Sequence, residues 1–307
     1  MTPAHVTLVF VLAAWPLSAL ETSFGLDVQT GVFFRSMDDS VFYNGEEEVV
    51  FALTSLGVPF LSLDGVFRAG DFRAFAGVLS GINILSGTIK IDDMAMKAKY
   101  THNTVSRERL ALNIGAGYEF KLLNGALVLV PRADFIYQLI RADALDGSVE
   151  AGHNKFNFSG THWHFTETNL MPVVTFSALW HFHPQFSAGI NGFVYPYIWA
   201  QTAVVDNYPT NTIYYFTWNE GGSWGGGGGV EFAFYPASFT YLSFFCALEF
   251  EGIMLKQGIV ETGVQGYSPA DTVRDTAFSV EHSAFQSKVV LGLRLLPSRT
   301  PHKLNKE

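Results

Sequence analysis

From Phe24 onward the chain alternates between two kinds of residue. The even positions Phe24, Leu26, Val28, Thr30, Val32 and Phe34 could all face lipid. The odd positions Gly25, Asp27, Gln29, Gly31 and Arg35 suit a polar interior, with Phe33 the exception. The pattern is cleanest between Ser106 and Leu122, where Leu110, Leu112, Ile114, Ala116, Tyr118, Phe120 and Leu122 interleave with polar residues and glycine. Successive side chains of a strand point to opposite faces, so this pattern predicts a strand with one oily and one charged face. A soluble β-sandwich also alternates, but its strands typically run five or six residues. These runs are far longer.

Turn signals divide the alternating runs. Short turns are predicted at Ala69-Gly70-Asp71, Asn124-Gly125, His183-Pro184 and Pro236-Ala237-Ser238. Asn-Gly is the strongest two-residue hairpin signal among them. Longer polar loops are expected over residues 36–46, 87–104, 141–166, 201–213 and 257–276. Four short turns and five long loops join ten strands, and an even count returns both ends of the chain to one side of a membrane. The expected fold is therefore all-β: a ten-stranded antiparallel transmembrane β-barrel with short periplasmic turns and long extracellular loops. Aromatics near the strand ends (Trp163, Trp180, Trp199, Trp218) would form its interface girdles.

Composition sharpens this picture. Of 307 residues 48 % are hydrophobic and only 15 % charged, below the roughly 25 % usual for a soluble domain. Beyond the N-terminus no apolar run approaches the ~20 residues of a spanning helix. Half-apolar strands account for both facts. The net charge of −9 disfavours nucleic acid as a partner. Residues 1–20 read as a secretory signal with an apolar core from Val6 to Trp15, 21–296 as the barrel, and 297–307 as a basic polar tail in the periplasm. The single Cys246 leaves no intrachain disulfide, so a closed hydrogen-bond network must hold the fold.

Chemistry is sparser. Ile91-Asp92-Asp93-Met94 closes an alternating run in two adjacent acids. Two carboxylates held close share a proton and can activate water, yet adjacent strand residues diverge. If alternation through Gly77, Gly81 and Asn83 continues unbroken, Asp93 points inward and Asp92 outward. In layout the chain resembles the omptins, the outer-membrane surface proteases: ten strands, five long outer loops, and an acid pair after the third strand. Omptin motifs place two Asp, one residue apart, in the second outer loop, and an Asp and a His, similarly spaced, in the fourth. Here the second loop offers Asp92 and Asp93 without the spacer, and the fourth offers Asp206 with Tyr208 where the His would stand. A phenol with an ordinary pKa of about 10 cannot take a proton from water near neutrality as an imidazole can. What the resemblance implies is thus an omptin architecture with an incomplete catalytic set: Asp92, Asp93 and Asp206, unless His102, His162 or His164 substitutes as base.

The remaining motifs point elsewhere. His162-Trp-His164 and His181-Phe-His183 could each place two imidazoles on one strand face, but no third ligand stands nearby and no metal is expected. The glycine run Gly221–Gly229 leads into the strand-like Val230–Tyr235 rather than a helix, so it is not a phosphate cradle. Lumen positions carry Arg107, Arg109, Glu119, Lys121, Arg132 and Asp134, whose mixed signs predict a cross-linked, plugged interior. The expectation is a surface barrel without cofactor, surrounded by outer-membrane lipid and binding extracellular protein or host ligands through its loops. An omptin-like endopeptidase and a narrow small-solute channel are the alternatives.

Overall fold

A computed structural model describes residues 22–43, 46–55, 57–81, 85–93, 97–159, 163–206, 212–217, 223–239, 241–257, 259–264, 273–275 and 278–295. Eighteen β-segments join in sequence into ten barrel strands. The first strand is β1 (Thr22–Tyr43). The second combines β2 (Glu46–Ser55) with β3 (Val58–Ala69), and the third β4 (Phe72–Gly81) with β5 (Leu85–Asp93). The fourth is β6 (Ala98–Tyr118) with the short β7 (Phe120–Leu122), and the fifth is β8 (Leu127–Ala151). β9 (Asn154–Phe158) and β10 (Trp163–His183) make the sixth, and β11 (Phe186–Tyr195) and β12 (Trp199–Asp206) the seventh. The eighth joins β13 (Thr212–Thr217) to β14 (Trp224–Phe234), the ninth β15 (Leu242–Gln257) to β16 (Ile259–Val264), and the tenth β17 (Val273–Asp275) to β18 (Phe278–Leu295).

Every neighbour is antiparallel, and the ring closes on itself. β1 pairs with β18 from Leu26↔Leu295 to Tyr43↔Phe278, and on its other side with β3 and β2. Closure matters because a strand edge in hydrocarbon would leave backbone amides and carbonyls without partners, at several kcal/mol each.

The four expected short turns cluster at one end. Gly70 takes φ 60° in the first. In the second, Leu123, Asn124 and Gly125 all have positive φ, so the hairpin is centred one residue earlier than Asn-Gly alone would place it. At the third the Gln185 amide donates to His183 Nδ1 at 3.2 Å.

The opposite end corrects the sequence reading. Residues expected as polar loops continue as paired strand: β1 and β2 stay paired to Tyr43↔Glu46, with a register shift at Val41/Phe42, β5 and β6 pair to Asp93↔Ala98, and β8 and β9 to Ala151↔Asn154. Polar residues on both faces hid these ladders, because alternation is visible only where one face is apolar. Register shifts at Leu85/Gly87, His102/Thr104 and Ser106/Glu108 break the alternation in this region. The wall therefore rises well past the last apolar row.

Exposure is inverted relative to a soluble protein. Ile114, on the outer wall, is 65 % exposed, whereas Glu167, facing inward, is 1 % exposed. Phe24, Ile190 and Leu291 share the outer surface. Left in water, such a belt would cost about 25 cal/mol for each Å² of apolar surface. Hydrocarbon removes that cost. Inside, the expected exception Phe33 is buried against Phe60, in a cluster with Val58, Tyr235, Phe245 and Val290. A second apolar cluster, around Met171, Tyr195 and Leu255, also packs the interior.

Candidate functional site

Asp92 and Asp93 are the last two residues of β5, at the end of the third barrel strand as expected. Asp92 lies directly opposite Lys99, and its Oδ2 sits 2.8 Å from Lys99 Nζ. Lys99 in turn opposes Glu150, and Glu150 accepts from Lys155 Nζ at 2.8 Å. Register thus aligns four charges of alternating sign, Asp92, Lys99, Glu150 and Lys155, across β5, β6, β8 and β9. The hydrogen bond and charge of Asp92 raise the Lys99 pKa above its ordinary value, and Lys155 lowers that of Glu150. Asp92 is therefore one rung of a solvent-facing charge ladder.

The premise for orienting Asp93 also fails: alternation does not run unbroken from Gly77 and Gly81, because β5 carries the Leu85/Gly87 register shift, and Asn83 lies outside the described residues. Asp93 is the backbone partner of Val49 and Ala98, and its side chain is outside the described set. Asp206 ends β12 opposite Trp163, and its side chain and all of Tyr208 are likewise outside it. The third and seventh barrel strands stand four apart on a ring of ten, on facing walls. No described contact joins the acids of β5 to β12.

One Asp–His pair is formed that the motifs did not specify. His164 Nδ1 lies 2.7 Å from Asp143 Oδ1, across the β8–β10 ladder where the two residues are register partners. The carboxylate is 4 % exposed and the imidazole 42 %, so a fixed acid orients a ring that still reaches solvent. Of the candidate substitute bases, His164 is thus positioned. The side chain of His102 and the whole of His162 lie outside the described residues. His181 packs near Tyr235 at the short-turn end, far along β10 from His164, so the two His pairs form no common site. Sequence spacing could not reveal the Asp143 pairing, because its two members are 21 residues apart and meet only through register.

The interior is the most elaborated polar region. The Arg294 guanidinium forks onto both Glu231 oxygens at 3.0 and 3.1 Å and bonds Asp27 at 2.9 Å through Nε. Arg35 reaches both oxygens of Glu167 at 2.9 and 3.1 Å. Asn169 links that carboxylate to Gln138. Arg109 donates to Gln286 at 2.5 Å and lies 3.9 Å over the Phe33 ring. Arg132 pairs with Asp134, Lys288 with Glu249, and Arg73 with Glu119. Lys121 sits at the exposed short-turn end on Asp71 rather than deep in the lumen. The predicted cross-linking is present at Arg109, Glu119, Arg132 and Asp134; the Arg107 side chain lies outside the described residues. Among the described residues no three metal-ligating side chains converge.

The glycine run is strand, not cradle. Gly225 to Gly229 lie within β14, paired with β11 and β15. A Cβ at Gly227 would collide with the Phe250 carbonyl and the Phe193 ring. These glycines let the wall close.

A closed ten-stranded barrel, apolar outside and polar within, is the architecture of bacterial outer-membrane proteins, and in fold this one is similar to an omptin. The crystal structure of outer membrane protease OmpT from Escherichia coli is similar, with a TM-score of 0.79 at 10 % identity, over 91 % of this chain and 99 % of that one. At that identity the likeness is one of fold. The transport unit of the autotransporter AIDA-I from Escherichia coli matches at TM-score 0.38 and 10 % identity, over 91 % of this chain and 92 % of that one. The outer membrane protein OprG from Pseudomonas aeruginosa matches at 0.37 and 10 % identity, over 90 % and 98 %. Scores that low carry no argument. No family model and no curated protein matches the sequence.

Proposed function

We propose that this chain is a surface barrel of the outer membrane that binds extracellular protein or host ligands on the wall and hairpins rising from one end, without proteolysis. The observation that carries this reading is the engagement of Asp92 with Lys99 in the four-charge ladder. The acid position of the second hairpin serves the sheet's stability there. Tyr208, standing where an omptin-like base would be, supports the same reading from sequence. The short turns and both termini belong on the periplasmic side and the risen wall at the cell surface. The signal-like residues 1–20 and the even strand count support that orientation. Residues 297–307 then trail into the periplasm. The paired lumen charges argue against a solute channel, since water-filled barrels are wider and uncrossed.

The experiment uses purified full-length barrel in lipid, offered a peptide library and recorded in a planar bilayer. The proposal expects neither cleavage nor conductance steps. Cleavage lost on Asp93→Ala or Asp206→Ala would establish the protease instead.

A second reading rests on the Asp143–His164 pair. An imidazole oriented by a buried carboxylate is the arrangement of a general base. If it serves that role, a surface endopeptidase built on a displaced pair would lose activity in His164→Ala while keeping it in Asp92→Ala.

A further inference from the structure

One row nearer the apolar belt than the charge ladder, the risen wall carries an open polar cleft. There register sets Thr101 opposite Ser148, and Ser148 opposite Asn157. Directly opposed residues of antiparallel strands share a face, so these side chains lie on the same solvent-facing side as Lys99, Glu150 and Lys155. In the next row β6 advances two residues, from His102 to Thr104, while β8 advances three, from Ala144 to Gly147. Asn103 therefore faces a bulge that contains Asp146, and a bulge bends its strand. The resulting cleft has a volume of about 430 Å³ and is lined by Thr101, Asn103, Asp146, Ser148, Lys155 and Asn157 across β6, β8 and β9.

The chemistry of the lining is uniform. Every side chain in it is polar, and among the described residues Thr101, Asn103, Ser148 and Asn157 carry no side-chain hydrogen bond. Two hydroxyls and two carboxamides, each able both to donate and to accept, therefore stand open on one face. The row above is closed by contrast: Lys99 is held by Asp92 and Lys155 by Glu150, each at 2.8 Å. The volume falls within the range of small-molecule sites.

Charge narrows the class of occupant. A sulfated, phosphorylated or carboxylated group would meet the Asp146 carboxylate and find the Lys155 ammonium already taken by Glu150. A divalent cation would meet one carboxylate and that same ammonium, where calcium asks for six or more oxygen ligands. A peptide would need an apolar anchor, and no apolar side chain lines the cleft among the described residues. An uncharged polyol fits. Its adjacent hydroxyls each donate and accept, as the four open side chains do.

We propose that this cleft binds an uncharged saccharide, one or two sugar rings of an extracellular glycan, through Thr101, Asn103, Ser148 and Asn157. This deepens the reading of the risen wall as a ligand-binding surface and rests on it. No aromatic ring lines the cleft among the described residues, so hydrogen bonds alone hold the sugar. A handful of them gives a dissociation constant of about 1 mM for a single site.

The test is saturation-transfer NMR of the full-length barrel in phosphocholine micelles. The probes are lactose, maltose and chitobiose, with sialyllactose and a sulfated heparin disaccharide as charged counterparts. Wild-type protein is expected to saturate at least one uncharged disaccharide, with a dissociation constant of about 1 mM, and neither charged one. Asn157→Ala should weaken that binding about fivefold, and Ser148→Leu, which fills the centre of the cleft, should abolish it. Heat-modifiable gel mobility checks that each variant is folded. No saturation of any uncharged probe, a preference for the charged ones, or undiminished binding in a folded Ser148→Leu variant overturns the proposal. Peptide cleavage by the same preparation would instead remove the surface-binding reading beneath it, whereas silence from a barrel that cleaves nothing removes the saccharide cleft alone.

Discussion

Lys99 Nζ lies 2.8 Å from Asp92 Oδ2, straight across the hairpin that joins the third and fourth barrel strands. That pairing makes Asp92 one rung of a ladder that continues to Glu150 and Lys155.

The ladder has a pH signature. Lys99 has a raised pKa, so its contribution is complete below the ordinary lysine value of 10.5 and is lost as pH rises through the higher folded value. Glu150 has a lowered pKa, so its contribution is complete above the ordinary 4.5 and is lost as pH falls through the folded value. The hairpin tips are therefore expected to hold their order between those limits and loosen beyond either. Side-chain NMR titration of Lys99 and Glu150 checks this, and Asp92→Ala should return the Lys99 midpoint toward its ordinary value.

Arg35 and Glu167 make a deeply buried ion pair in the lumen. Arg35→Ala would remove the guanidinium that pairs the buried Glu167 carboxylate and is expected to destabilise the barrel by about 3–5 kcal/mol. The double change Arg35→Met with Glu167→Leu should restore most of that loss, since no charge is then left unpaired. Urea unfolding in micelles, followed by tryptophan fluorescence, measures both.

Gly227→Ala places a methyl group against the Phe250 carbonyl and the Phe193 ring. The expected result is a barrel that fails to close, read as loss of the compact, heat-modifiable form on an unheated gel. Gly252→Ala, whose Cβ would meet nothing closer than the Gly226 carbonyl at 4.0 Å, should stay within about 0.5 kcal/mol of the parent.

What was legible in the sequence followed one rule. Where one face met lipid, as from Phe24 to Phe34 and from Leu110 to Leu122, alternation gave the strand and its facing correctly. Where both faces are polar, alternation vanishes and the same strands read as loops, so the rise of β8 to Ala151 and the β8–β9 hairpin leave no signal in the sequence. Arg132 and Asp134 could be read as an interior pair because they share a strand face two residues apart. Arg35 with Glu167 is separated by 132 residues, and Asp143 with His164 meets only through register. The omptin-like layout was readable from strand number and turn length alone, because each short turn falls between two runs whose lipid-facing side alternates.

The most direct test of the account is proteolysis and conductance measured on one preparation of folded barrel in lipid. A non-proteolytic, plugged barrel gives a flat bilayer trace and intact peptides for the wild type, and the same for Asp92→Ala. Peptide cleavage by the wild type that disappears in Asp93→Ala or Asp206→Ala would contradict it.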